Sequence, residues 1–142
     1  MEIAFAEAEL AVAAGEVPIG AVVVRDGEVV ARAYNRTLSE NDPTAHAEML
    51  VLRAAAAALG NERLADSDLY VTLEPCTMCA AAVSHARIRR LYYGAADPKG
   101  GAVESGLRFF AAATCHHRPE IYSGIGEERA AQMLKTFFAS RR

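Results

Sequence analysis

Apolar and polar positions along this chain change period often enough to mark its elements one by one. Residues 3–14 read as a helix that Gly15 stops. Pro18-Ile19-Gly20-Ala21-Val22-Val23-Val24 reads as a strand, and Asp26-Gly27 is a hairpin turn into a second strand over 28–34. After a polar loop over 35–42, Asp42-Pro43-Thr44 supplies start signals for a helix over 46–59, which Gly60 closes. Leu69-Tyr70-Val71-Thr72-Leu73 is a short buried strand, and the helix after it runs to about residue 86. A strand over 89–94, an irregular loop over 97–101, a helix over 104–111 and a weak strand over 120–122 come next. In the last helix, over 126–139, Ala130, Met133, Leu134, Phe137 and Phe138 form an apolar stripe at helical spacing.

This alternation predicts a central mixed sheet with helices on both faces, in one domain over 1–142 without repeats or linkers. Hydrophobic residues make up 52% of the 142, enough for one substantial core. The apolar runs are nevertheless far too short to span a membrane. Met1-Glu2-Ile3-Ala4-Phe5 lacks the basic and apolar regions of a secretory signal. Three cysteines, two of them in a CxxC, suit a reducing cytoplasm better than a disulfide framework, and Cys115 reads as a structural thiol. A net charge of −3 provides no global field to attract nucleic acid, so any such attraction needs local clusters. Arg36, Arg87, Arg89, Arg90, Lys99, Arg118 and Arg141-Arg142 are the candidates.

The chemistry is concentrated in His46-Ala47-Glu48 and Pro75-Cys76-Thr77-Met78-Cys79. One imidazole and two thiolates are three protein ligands for zinc, which leaves a fourth position for water. Residues two apart on a helix point roughly 200° away from each other, so His46 and Glu48 can share a site only at a helix N-terminus. Cys76 and Cys79, three apart, share a face, and Pro75 places them in a first turn where the helix dipole favours thiolate. A strand leading into CxxC is also the context of a redox dithiol, and a closed structural zinc site is a further alternative. Neither reading gives His46 and Glu48 a joint role. His85, His116 and His117 read as ordinary core or surface residues, and Asn35 and Asp97 can equally be turn residues.

With Glu16-Val17-Pro18-Ile19-Gly20-Ala21-Val22, Asn35-Arg36, Tyr93-Gly94, Asp97, Lys99 and Phe137-Phe138, these two motifs resemble the cytidine deaminase superfamily. Within it, the flanking residues are similar to the bacterial tRNA-specific adenosine deaminases. The resemblance implies a three-layer α/β/α fold around a mixed five-stranded sheet. It implies one zinc per subunit on His46, Cys76 and Cys79, with Glu48 as the proton shuttle. Asn35 is then expected to hydrogen-bond a flipped-out base, Val17, Pro18 and Ala47 to line its pocket, and Asp97 to lie against the flanking sugar-phosphate backbone. The implied reaction is hydrolysis of adenosine to inosine at the wobble position of a tRNA anticodon loop, tRNA-Arg being the implied substrate, by a cytoplasmic homodimer. Superfamily members acting on a free base or nucleotide (guanine, CMP or dCMP) share the zinc motif and are the alternative. Ala96 departs from the arginine that many bacterial relatives carry, which removes one phosphate contact.

Overall fold

The computed structural model describes residues 1–141, so Arg142, half of the terminal arginine pair, lies outside the described residues. Its strands are β1 (Gly20–Arg25), β2 (Glu28–Tyr34), β3 (Ser67–Leu73), β4 (Arg90–Ala95) and β5 (Glu120–Tyr122), and its helices are α1 (Glu2–Ala13), α2 (Ala47–Leu59), α3 (Thr77–Ala86) and α4 (Glu127–Ala139). The strands form one sheet in the order β2-β1-β3-β4-β5. β1 is antiparallel to β2 and β3, whereas β3, β4 and β5 are mutually parallel. α2 and α3 cover one face, and α1 and α4 the other, giving three layers.

The larger core lies under α2 and α3, where Val23, Val51, Leu69, Val71, Val83 and Leu91 are buried. Alternation along β3 explains it: Leu69 and Val71 face these helices, while Tyr70 and Thr72 face the opposite layer. On that other side Tyr70, Tyr92 and Tyr122 stack in register across three strands, at centroid distances of 4.3 and 4.9 Å. α1 approaches β1 closely through Ala4, Ala8 and Ala11, all fully buried. A Cβ on Gly20 would sit 1.9 Å from the Ala4 carbonyl oxygen, so only glycine permits this approach.

Strand direction assembles the functional end of the molecule. Gly20 pairs with Tyr34, and Ala21 with Val71, so β1 starts where β2 and β3 end. β4 runs parallel to β3 and ends there too. Residues 17–19, 35–37, 74–76 and 96–97 therefore emerge together at one end of the sheet.

Two expectations need correction. The helix over 104–111 is absent: Gly106 and Arg108 adopt φ of +51° and +50°, and only a short turn, Phe109–Ala111, is helical. The left-handed residues at 106 and 108 break the helical path, and the backbone N–H groups of Val103, Glu104 and Ser105 donate to the Glu74 carboxylate. Asp42-Pro43-Thr44 does not start α2 either. Asp42 Oδ1 accepts from Thr44 N and Oγ in a local turn, and His46 is the residue before the first helical position.

Candidate active site

His46 and Cys76 occupy equivalent places in the two inner helices. Each precedes the first helical residue in extended conformation, His46 at φ −72°, ψ 150° and Cys76 at φ −73°, ψ 177°. Neither side chain caps its own helix, so both are free to turn toward each other. Cys79, one turn into α3, completes the group and is fully buried. His46 Nδ1 lies 3.6 Å from Cys76 Sγ and 3.5 Å from Cys79 Sγ. A tetrahedral zinc, with bonds of about 2.3 Å to sulfur and 2.0–2.1 Å to nitrogen, implies N···S edges of about 3.6 Å. The three donors thus already have the spacing of zinc ligands.

Protonation within the group favours a cation as well. The Cys79 thiol donates to Cys76 and, against the cost of burial and with help from His46, pushes the Cys76 pKa down to about 4. Cys79 itself is held far above its ordinary value, first by sharing its proton with Cys76 and then by burial. The hydrogen bond to Cys76 also raises the His46 pKa, against partial burial. One proton between two sulfurs is what a divalent cation displaces on binding.

Glu48 sits in the first turn of α2, behind His46, and is only 4% exposed. Its Oε1 is buried and finds no hydrogen-bond partner among the described residues. Burial pushes its pKa up to about 7, with the nearby His46 charge only partly offsetting it. A buried carboxyl poised near neutrality beside three metal donors is suited to passing protons.

A cleft of about 460 Å³ opens beside His46, lined by Val17, Ile19, Asn35, Thr37, Leu73, Ala96, Asp97, Leu134 and Phe138. Such a volume suits one nucleoside. Asn35 is buried, and its Oδ1 accepts from Ala47 N at 3.0 Å, which leaves the amide nitrogen as the group free to donate. Of the residues expected in the pocket, Val17, Asn35 and Asp97 line this cleft. Pro18 and Ala47 are buried and do not. Asp97 Oδ1 accepts from Lys99 N and Gly100 N at 3.1 and 3.0 Å, so its carboxylate also shapes its own turn. Leu134 and Phe138 of the α4 stripe serve as cleft wall: Phe138 is 49% exposed, whereas Ala130 and Phe137 are core.

Sequence reasoning missed two buried glutamates that hold the loops of this cleft. Glu16 accepts from Leu38 N and Ser39 N at 3.1 and 2.7 Å, fastening the loop after β2. Glu74 accepts five hydrogen bonds from the loop after β4. Their position just before Val17-Pro18 and Pro75-Cys76 was the only signal, since the partners lie more than twenty residues away. The basic candidates divide by location. Arg89 and Arg90 stand where β4 begins, at the end of the sheet opposite the cleft, in ion pairs with Asp68 and Glu120. Arg118 donates to the carbonyls of Phe110 and Ala112. Arg36 stacks over Tyr34 between the cleft residues Asn35 and Thr37, and Lys99 is exposed in the turn that follows the cleft residue Asp97.

Known proteins agree with this geometry. Residues 1–95 match the family described as the cytidine and deoxycytidylate deaminase zinc-binding region. The tRNA-specific adenosine deaminase of Agrobacterium fabrum is 64% identical over 142 residues, covering 100% of this chain and 93% of its own. The Bacillus subtilis protein of the same name is 46% identical, over 100% of this chain and 88% of its own. A solved structure from work on A-to-I editing by tRNA:A34 deaminases at the wobble position superposes with a TM-score of 0.93, at 66% identity over 94% of this chain and 97% of that one. With its zinc region matched and its whole length shared with such relatives, the chain belongs to the cytidine and deoxycytidylate deaminase family, among the tRNA-specific adenosine deaminases.

Proposed function

We propose that this chain is a single-domain enzyme that deaminates adenosine to inosine at the wobble position of a tRNA anticodon loop, with tRNA-Arg as substrate. It binds one zinc per subunit through His46, Cys76 and Cys79 and works as a homodimer in the cytoplasm. The observation that carries this reading is the buried Glu48 carboxyl, without a partner at Oε1, beside three donors already spaced for zinc. Zinc in that site supplies a Lewis acid that brings the pKa of a water at its open position toward about 7.

The chain's own groups do the remaining work. Glu48 takes a proton from the attacking water and delivers it to N1 of adenine, which makes C6 electrophilic. The water oxygen bonds to C6, and the same carboxyl then relays the remaining proton of that hydroxyl to the amino group, which leaves as ammonia as the C6–N bond breaks. A pKa near 7 lets one group accept and donate in succession at neutral pH. The Asn35 amide nitrogen donates to the base edge, and Leu134 and Phe138 provide apolar surface against the flipped-out nucleotide. Loop nucleotides of an anticodon are already partly unstacked, so extruding one costs less than from a duplex.

The test is a side-by-side assay on an anticodon stem-loop, free adenosine, guanine, CMP and dCMP, with zinc measured in the same preparation. Inosine in the stem-loop, little turnover of the free compounds and close to one zinc per chain are expected. Turnover of a free base or nucleotide with none on the stem-loop would replace the substrate class and leave the metal site standing.

A further inference from the structure

We infer that Glu74 is a positioning residue for this reaction: its carboxylate holds the loop over 97–105 in the shape that makes Asp97 a wall of the cleft. The inference rests on the cleft being the site of adenosine in RNA. Glu74 lies between the end of β3 and the metal ligand Cys76, and its side chain is 2% exposed. Oε2 accepts from three successive backbone donors, Val103 N, Glu104 N and Ser105 N, at 3.0, 2.9 and 2.9 Å. Consecutive N–H groups converging on one oxygen form a nest suited to an anion. Oε1 accepts from Asp97 N at 2.9 Å and from Ser105 Oγ at 2.8 Å. One carboxylate therefore ties both ends of the loop to the strand that delivers Cys76.

The loop is built around that group. A Cβ on Gly101 would lie 2.5 Å from Glu74 Cδ and 2.6 Å from the Asp97 carbonyl oxygen, so the chain passes flush over the carboxylate. Ala102 N donates to the Pro75 carbonyl at 2.9 Å, and Gly101 bridges to Cys76. These backbone contacts secure the metal turn independently of the side chain. Gly101 N donates to the Asp97 carbonyl at 2.8 Å, and the Glu74 carboxylate joins Asp97 N to the donors of 103–105.

The two oxygens make Glu74→Gln selective. A glutamine has one acceptor oxygen, which satisfies the most donors by facing the three N–H groups of 103–105. Its NH2 then meets Asp97 N–H, donor against donor, so Asp97 N loses its acceptor while the rest of the loop stays tied. A wall that contacts substrate equally before and during reaction affects KM more than kcat.

Steady-state kinetics on an anticodon stem-loop, with zinc content and thermal melting in parallel, test this for wild type, Glu74→Gln and Ser105→Ala. Glu74→Gln is expected to raise KM about tenfold with kcat within about threefold and zinc unchanged. Ser105→Ala, which removes a single hydroxyl donor, is expected to raise KM about two- to threefold in the same pattern. Should Glu74→Gln fail to fold, Ser105→Ala decides by the same criterion. Wild-type KM in the folded variants overturns the inference, as does loss of zinc with a lower kcat and an unchanged KM, the mark of a support for the metal turn. An inactive wild type removes the substrate reading and this inference with it.

Discussion

At the residue scale, Asn35 divides its amide between two duties. Its oxygen holds the N-terminus of α2 through Ala47 N, and its nitrogen is free for the proposed contact with the base. Asn35→Asp keeps the first and loses the second, so zinc binding and melting temperature should stay near wild type. Turnover on the stem-loop should fall by about two orders of magnitude, because a buried acceptor on the base edge is left unpaired. Glu16 gives a pH-dependent case. Burial pushes its pKa up, but hydrogen bonds from Ser39 and Leu38 and the charge of Arg36 outweigh this and hold it below the ordinary value. The folded chain thus releases that proton at lower pH than the unfolded one. Its stabilisation is complete above the unfolded carboxyl pKa of about 4.3 and is lost as pH falls through the lower folded value. In urea unfolding, Glu16→Gln should cost about 1–2 kcal/mol at pH 7, and the gap to wild type should narrow below about pH 4. A gap that stays constant with pH would show that the carboxylate charge is not what holds Leu38 and Ser39.

At the element scale, the contact between α1 and β1 sets how the layers stack. Gly20→Ala places a methyl against the Ala4 carbonyl and Ala8 N, backbone atoms that cannot swing aside. About 3 kcal/mol or more of destabilisation in urea is expected, the upper end for overpacking; a change under about 1 kcal/mol would mean that α1 slides freely on the sheet. Most elements were legible beforehand for a local reason. The Val22-Val23-Val24 strand, the Asp26-Gly27 turn, the Gly60 stop and the α4 stripe each depend on neighbours within a few residues. The meeting of His46, Cys76 and Cys79 was legible because their spacing admits few geometries other than paired helix N-termini. The loop over 97–105 was not, because Glu74 organises it from more than twenty residues away. The role of Leu134 and Phe138 as cleft wall was not legible, because periodicity marks an apolar face without saying whether protein or a cleft covers it.

At the scale of the whole molecule, the charge map decides how an acidic protein meets RNA. With a net charge of −3, attraction depends on where the cations stand, and Lys99 is exposed two residues from Asp97 of the cleft wall while Arg89 is paired at the opposite end of the sheet. Lys99→Ala should weaken stem-loop binding and reduce the slope of log K against log salt by about 0.7–0.9, the release of one counterion. Arg89→Ala should leave that slope unchanged, and equal slopes for both variants would move the RNA to another surface.

In the proposed reaction metal site, cleft and substrate act together, with Glu48 moving the protons. Single-turnover conversion of an anticodon stem-loop by wild type and Glu48→Gln tests this, with the product position mapped and zinc quantified in both. Wild type should form inosine at the wobble position alone. Glu48→Gln should hold the same zinc and fold yet react at least about 10³-fold more slowly, within the range for a lost general acid–base group. A zinc-loaded Glu48→Gln enzyme that converts the stem-loop at the wild-type rate would contradict the account.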